Sequence, residues 1–271
     1  MIKFFRKIRY NLLETGKTAK YLKYSIGEII LVVIGILIAL QINTWNENRK
    51  AEAQEESSMK EIIENLKYDI VRCERNSEKN ILLIRGLDSL RTSVGQAIDG
   101  EDETVNIYYY ALKYGADFSK AVLNKTTYKE IANSGLIKNI SNKLLVQQLS
   151  DYYERISTTV PEFQPNIGHA NMQNTQKKFI SYIGLEGYIT SLDSFNAATY
   201  SPDYDFKNIR ELENLELLTP DGLGLTDYYN EITQFEIDLK TYIFYMSWTA
   251  KAAKKLIENI EKEYELAPTL L

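Results

Sequence analysis

The chain has very few residues of the kinds that cysteine and histidine chemistry requires. Among its 271 residues, Cys73 is the only cysteine and His169 the only histidine. One chain therefore has no intramolecular disulfide, no Cys/His zinc cluster and no Cys-His catalytic dyad. Cys73 falls on an apolar helical stripe, where we expect a small buried hydrophobic side chain rather than a reactive thiol. A lone histidine is more often structural than functional, and we expect the same of His169.

Charge and carboxylate patterns also exclude several classes of function. The 37 acidic residues outnumber the 32 basic ones, and the formal net charge of −5 gives no general attraction to nucleic acid. Acidic runs such as 101–103 have no basic, histidine or hydroxyl partner at a spacing that would define a general acid, a general base or a metal ligand. We therefore predict no catalytic residue, no metal, no cofactor and no enzymatic activity.

One long apolar run stands out at residues 25–45, SIGEIILVVIGILIALQINTW. About 20 helical residues, rising about 1.5 Å each, span the roughly 30 Å core of a bilayer. Residues 1–24 carry seven Lys or Arg against the single acid Glu14. The positive-inside rule then places the N-terminus in the cytoplasm. A cleaved signal peptide is the alternative, but no A-x-A-like site follows the run directly, and we predict an uncleaved anchor.

Small residues and one acid share a face of this predicted transmembrane helix. Successive residues of a helix are rotated by about 100° around its axis. Glu28, Gly35 and Ala39 are separated by seven and four residues and therefore lie on the same side. Gly35 and Ala39 form a small-xxx-small pair of the kind that lets two helices approach closely, so we predict homo-oligomerisation through this face. In the alternative interpretation, Glu28 lies near the cytoplasmic end and extends toward the headgroups with no further role.

Residues 46–271 predict an all-α domain, with no strand alternation and no repeat of fixed period. We expect the transmembrane helix to continue into a long stalk that ends near Gly95 or in the acidic stretch 99–104. A second long helix should run from an N-cap at Thr226 to before Pro268. The two helices would pack antiparallel as an elongated bundle. Shorter helices are expected after the caps Thr127 and Ser141 and over 168–183, with a long connection over 184–225. The stripe of the stalk runs through Met59, Ile63, Leu66, Ile70, Cys73, Ser77, Ile81, Ile84, Leu87 and Leu90.

Tyrosine is the clearest compositional excess, with 20 residues. The pairs Tyr152-Tyr153 and Tyr228-Tyr229 fall on predicted helices, where adjacent side chains point about 100° apart. One interpretation is packing in the core and at its edge, since buried rings contribute apolar area and their hydroxyls find nearby partners. The other is an aromatic groove for recognition, because tyrosine is favoured at interfaces.

Two stretches resemble a known family. They are GEIILVVIGILIALQINTWN, which begins at Gly27, and TTYKEIANSGLIKNISNKLLVQQLSDYY, which ends at Tyr153. Both are similar to a family of uncharacterised proteins of Bacteroidota described only as a domain of unknown function. The resemblance implies a single-pass inner-membrane protein with a periplasmic domain. It implies no catalytic residue, cofactor or substrate.

These observations favour a membrane-anchored periplasmic scaffold or interaction protein. Its expected partners are the lipid bilayer and a second copy or another membrane protein. A cytoplasmic stretch of about 24 residues has no room for a signalling output domain, which usually needs more than about 40. The alternative is a sensor-like bundle that binds a small ligand in a tyrosine-lined cavity. An enzyme, the third hypothesis, would require carboxylates and His169 to converge in a cleft.

Overall fold

The computed structural model describes residues 10, 18–115, 118–179, 215–217 and 222–268. The chain divides into two compact units, Met1–Ser58 and Met59–Leu271. The fold is all-α, as predicted. Most of the segment 1–24 and of the predicted connection 184–225 lies outside the described residues.

The helices of the described residues are named here in chain order. They are α1 (Thr18–Ile98), α2 (Thr104–Tyr114), α3 (Thr126–Ser134), α4 (Lys143–Ser157), the single turn α5 (Thr159–Glu162), α6 (Asn166–Phe179) and α7 (Gly222–Glu263), with a 3₁₀ turn at Leu136–Lys138.

Helix α1 is continuous from the first unit into the second, which confirms the predicted continuation of the apolar helix. No proline interrupts it, and it ends at Ile98, between the two predicted ends at Gly95 and in the acidic stretch 99–104. Gly100, with a φ of 96°, turns the chain after it. Such a left-handed conformation costs glycine nothing, whereas a side chain would disfavour it.

The apolar stretch of α1 in the first unit presents its side chains outward. Every residue over 29–45 is exposed. At the end of this stretch the Arg49 guanidinium lies 5.5 Å from the centre of the Trp45 ring. Among the described residues, one helix is long and apolar enough to cross a membrane, with a mean hydropathy of 2.5 in its most apolar window and none of that window buried.

The second unit is organised around the pairing of α1 with α7. A first cluster joins residues 59–70 of α1 to residues 253–260 of α7 and to α4. A second cluster joins residues 87–94 of α1 to residues 225–239 of α7 and to α2. Because the early part of α1 meets the late part of α7, the two helices are antiparallel, as predicted.

Three predicted N-caps are wrong. Thr127 does not cap α3, because its buried hydroxyl donates to Glu61 at 3.0 Å instead. At α4 the cap is Asn142 rather than Ser141, since the Asn142 side chain accepts from the Leu145 amide at 3.0 Å. Helix α7 begins at Gly222, which places Thr226 inside it. The predicted stop at Gly135 is confirmed, with a φ of 80°.

Candidate functional site

An extended segment, residues 118–125, connects α2 to α3 and lies against α1. These residues have no regular secondary structure, so side chains must satisfy their buried backbone groups. The Asn80 side chain of α1 makes two hydrogen bonds with the main chain of Ser119. Its Oδ1 accepts from the Ser119 amide at 3.0 Å, and its Nδ2 donates to the Ser119 carbonyl at 2.9 Å. The side-chain amide of Asn80 thus takes the place of a neighbouring strand.

The same backbone recognition continues along the segment. The Asp69 carboxylate accepts from the Asn124 amide at 2.8 Å, and the Tyr242 hydroxyl accepts from the Ala121 amide at 2.9 Å. The Arg72 guanidinium donates to the Val122 carbonyl. The segment is therefore fixed to α1 and α7 mainly through its own main chain.

This packing corrects the predicted stripe of α1. Ile81 was expected in the core but is 40% exposed, whereas Asn76 and Asn80 are 4% and 0% exposed. Apolar periodicity fails here because the partner is bare backbone, which needs donors and acceptors rather than methyl groups. Asp69, Asn76 and Asn80 are separated by seven and four residues, so they share one helix face. That polar spacing is the signal that hydrophobic periodicity misses.

Asp69 is the buried titratable group of this arrangement. Its side chain is 0% exposed, and burial raises the pKa of the carboxyl from 3.8 to about 6, although hydrogen bonds from the Asn124 amide and the Tyr152 hydroxyl lower it. Next to Tyr152, the buried Tyr153 ring stacks on Tyr128 with centroids 4.2 Å apart. The Tyr153 hydroxyl has no hydrogen-bond partner among the described residues.

The four tyrosines that the sequence singles out occupy two separate places. Tyr152 and Tyr153 are buried in the cluster of α1, α4 and the end of α7. Tyr228 is 0% exposed in the other cluster, and its hydroxyl donates to Gln176 at 3.3 Å. Tyr229 is half-buried, and its hydroxyl accepts from Arg91 at 3.0 Å. Tyr152 also lines a pocket of about 190 Å³, so the predicted recognition role stays a prediction.

The lone cysteine and histidine are packed into the fold. Cys73 is 1% exposed, and burial raises the pKa of its thiol to about 12, which keeps it protonated. The His169 ring lies 5.0 Å from the Phe235 ring, and its Nε2–H donates to the Gly115 carbonyl at 3.2 Å. Within the described residues, no three His, Cys, Asp or Glu side chains are arranged to hold a metal ion.

Sequence reasoning missed a basic groove on the outer side of this contact. Arg72, Arg75 and Lys79 are separated by three and four residues on one face of α1. Lys120 and Lys125 of the extended segment and Lys129 of α3 lie across from them. Two pockets, of about 260 and 360 Å³, share Arg72 and Val122 as lining residues and together form the basic groove. The lining residues are Tyr68, Arg72, Arg75, Asn76, Lys79, Ser119, Lys120, Ala121, Val122, Leu123, Asn124, Lys125, Thr126 and Lys129.

The basic groove has no ion-paired carboxylate among the described residues, although the buried Asp69 interacts electrostatically with Arg72. None of its six cations is within ion-pair distance of a carboxylate of the described residues, and no Asp or Glu lines either pocket. The whole chain has a net charge of −5. The positive potential of the groove is therefore local, and it is the opposite of the sign of the whole chain.

The predicted self-association face lies on the first unit. Glu28 is half-buried, and Gly35 and Ala39 are exposed. A Cβ built at Gly35 meets no atom within 4 Å. The position is thus open to a neighbouring helix, and self-association stays a prediction.

The fold and the apolar helix define a class of protein: an all-α protein with one candidate membrane helix among the residues that the structure describes. Residues 28–160, just under half of the chain, match the sequence model of a family described as "Family of unknown function (DUF6090)". The match covers the self-association face, the extended segment and the whole basic groove. This agrees with the resemblance to a domain of unknown function; it does not test the bacterial group. Comparisons with curated proteins and with solved structures found no significant match.

Proposed function

We propose that the protein is a membrane-anchored interaction protein of this family, held by residues 25–45 in the bacterial inner membrane. The observation that carries the proposal is the exposure of eleven Ile, Leu and Val side chains over 29–42. Burying such a side chain stabilises by about 1.5–3 kcal/mol, so leaving eleven of them in water costs roughly 15–30 kcal/mol. A bilayer removes that cost, because a helix satisfies its own backbone groups in lipid.

The orientation follows from charge. The excess of Lys and Arg over residues 1–24 supports a cytoplasmic N-terminus, and Trp45 suits an interfacial position. The residues that follow then lie in the periplasm. The resemblance to the Bacteroidota family implies the same arrangement.

Labelling of introduced cysteines tests both anchor and orientation. Cys73 is buried, so an exposed new thiol dominates the reaction. In cells with a permeabilised outer membrane, a membrane-impermeant maleimide should label Glu101→Cys, while Lys3→Cys should react only after lysis. Alkaline carbonate should leave the protein in the membrane pellet. Release into the supernatant, or equal labelling of both variants, would overturn the anchor or its orientation.

A role in interaction rather than catalysis is supported by what the buried polar groups do. Asp69 and Asn80 are engaged by the backbone of the extended segment. Cys73 is a protonated, buried thiol and His169 is packed against aromatic rings. These groups hold the fold together, which fits a domain whose surface is the functional part.

The predicted partner in the membrane is a second copy of the chain, through the face of Glu28, Gly35 and Ala39. Light scattering of the intact protein in detergent should give the mass of an oligomer, and Gly35→Leu should give that of a monomer. Val33→Leu, about 200° away around the helix, is the matched control and should leave the oligomer intact. A monomeric wild type would contradict the proposal that the protein is a self-associating scaffold.

A second candidate function is ligand sensing. Its support is the basic groove, where two adjoining pockets present six cations that have no ion-paired carboxylate within the part of the chain that the structure describes. The pocket beside Tyr152 gives less support, because its volume of about 190 Å³ is below the roughly 300–1,000 Å³ of most small-molecule sites.

A further inference from the structure

We infer that the basic groove binds a small soluble polyanion that carries at least two phosphate groups, placed on the two sides of Arg72. The inference concerns the helical domain, and it holds whether or not the apolar helix spans a bilayer. It rests on the charge, the donor geometry and the dimensions of the groove.

A bound anion would stabilise the positive charge of the groove. Its six cations have no acidic neighbour within ion-pair distance among the described residues. Like charges held together repel, so the clustering of these cations lowers the stability of the folded chain. An anion that binds the folded state alone would relieve the repulsion and raise the stability. The chain as a whole is acidic, which disfavours a long anionic polymer that would also meet the rest of the surface.

Arg72 is fixed in place between the two pockets. Its guanidinium lies 4.3 Å from the centre of the Tyr68 ring, donates to the Tyr68 hydroxyl at 2.7 Å and donates to the Val122 carbonyl. A guanidinium has five N–H donors, so three remain for a ligand. A side chain that is already ordered loses little further freedom on binding. Guanidinium N–H groups make strong charge-assisted hydrogen bonds to phosphate oxygens.

The floor and walls of the groove add donors on one side of Arg72. The cations Arg75, Lys79 and Lys120 line the 260 Å³ pocket together with Ser119 and with Asn76, whose side-chain amide already donates to Ser119. On the other side, Lys125 and Lys129 line the 360 Å³ pocket. Each pocket can therefore place lysine charge and at least one shared arginine around one phosphate group.

The dimensions of the groove require more than one phosphate group. The two pockets meet at Arg72 and hold different lysines, Lys79 and Lys120 in one and Lys125 and Lys129 in the other. A single phosphate in one pocket leaves the cations of the other pocket without counter-charge, whereas two or three linked phosphates can reach both. The concave shape favours a small molecule over the flat array of headgroups on a membrane surface.

Calorimetric titration of the intact protein in an uncharged detergent with sodium tripolyphosphate tests the inference. Arg75→Gln/Lys79→Gln should weaken binding at least about tenfold, which corresponds to about 1.4 kcal/mol. Lys178→Gln/Lys262→Gln removes the same charge from exposed positions outside the groove and should change the affinity less than about twofold. Orthophosphate should bind at least about tenfold more weakly than tripolyphosphate.

Several results would overturn the inference. They are no binding of tripolyphosphate at millimolar concentration, equal weakening by the two double variants, or equal affinity for orthophosphate. Thermal unfolding provides a second measurement on the same samples. Tripolyphosphate should raise the midpoint of the wild type and of Lys178→Gln/Lys262→Gln but not that of Arg75→Gln/Lys79→Gln. Without ligand, Arg75→Gln/Lys79→Gln should unfold at a midpoint equal to or slightly above those of the other two proteins, because it removes exposed charges and relieves part of the repulsion in the groove.

Discussion

Tyr152 donates a hydrogen bond of 2.9 Å to the carboxylate of Asp69, which accepts the Asn124 amide through its other oxygen. One buried side chain of α1 thus joins α4 and the extended segment. Burial keeps water away from these hydrogen bonds, but it also disfavours the negative charge of the Asp69 carboxylate. Asp69 is therefore both a structural link and the group through which pH acts on the domain.

Stability should fall as pH rises through the titration of Asp69. The pKa is about 6 in the folded chain against an ordinary 3.8. Between these values the folded state binds more protons than the unfolded state, so the free energy of unfolding decreases with increasing pH. At about 1.36 kcal/mol per pKa unit, the stability lost is at most about 3 kcal/mol. The loss accumulates between the two pKa values and is complete once the pH is above the folded pKa of about 6. Asp69→Asn removes the charge and keeps an oxygen for the Asn124 amide, so this part of the pH dependence should disappear.

Urea unfolding of the intact protein in detergent, followed by circular dichroism between pH 4 and pH 7.5, measures this. The difference between Asp69→Asn and wild type should grow in favour of the variant with rising pH. Glu101→Gln, in an exposed loop, is the control and should follow the wild type. A difference that stays constant with pH would show that the buried carboxyl does not titrate in this range.

Removal of the Asn80 side chain should release the extended segment. Asn80→Ala leaves the part-buried amide of Ser119 without its bond of 3.0 Å to the Asn80 oxygen, whereas Asn76 still donates to the Ser119 carbonyl. An unsatisfied buried polar group costs about 1–3 kcal/mol, so we expect a loss in that range. Hydrogen exchange at the Ser119 amide should accelerate.

Glu78→Ala supplies the control for this experiment, because Glu78 is an exposed neighbour on the same helix. Its stability should remain within about 0.5 kcal/mol of the wild type. Unchanged exchange at Ser119 in Asn80→Ala would mean that the segment does not depend on the Asn80 amide.

Gly86 should be intolerant of a side chain, since a Cβ there would clash with the ring of Tyr114 at the end of α2. We expect Gly86→Ala to destabilise the protein by about 1–3 kcal/mol through overpacking, even though alanine favours a helix by about 1 kcal/mol. Gly95 lies on the same helix, where a Cβ would approach Tyr229 no closer than 3.6 Å. Gly95→Ala should therefore be neutral or stabilising.

A double-mutant cycle on unfolding free energies isolates the clash. In a Tyr114→Ala background the ring is gone, so Gly86→Ala should no longer destabilise. A penalty that persists in that background would assign the cost to the helix backbone instead.

The main helices could be predicted from the sequence, because apolar spacing and the absence of proline over long stretches are local signals. The extended segment could not. Asn80 and Ser119 are 39 residues apart, and nothing in either local pattern pairs a helix amide with a distant backbone. Apolar spacing therefore predicts Ser77 and Ile81 on the buried face of α1, where the structure has Asn76 and Asn80.

Only the part of the basic groove that lies on α1 could be predicted from the sequence. The spacing of Arg72, Arg75 and Lys79 can be found on a helical wheel, and a search for like charges on one face would have found it. Lys120 and Lys125 come to the same place only through the extended segment. Their position depends on hydrogen bonds that the sequence does not show.

The way in which the extended segment is held has a consequence for how the protein can change. Asn80, Asp69 and Tyr242 bind main-chain groups of residues 119–124, not their side chains. Lys120 and Val122 are exposed, so their replacement leaves these bonds intact. The protein can therefore alter the wall of its basic groove by substitutions in this segment without loosening the fold, much as a binding loop diversifies on a constant frame.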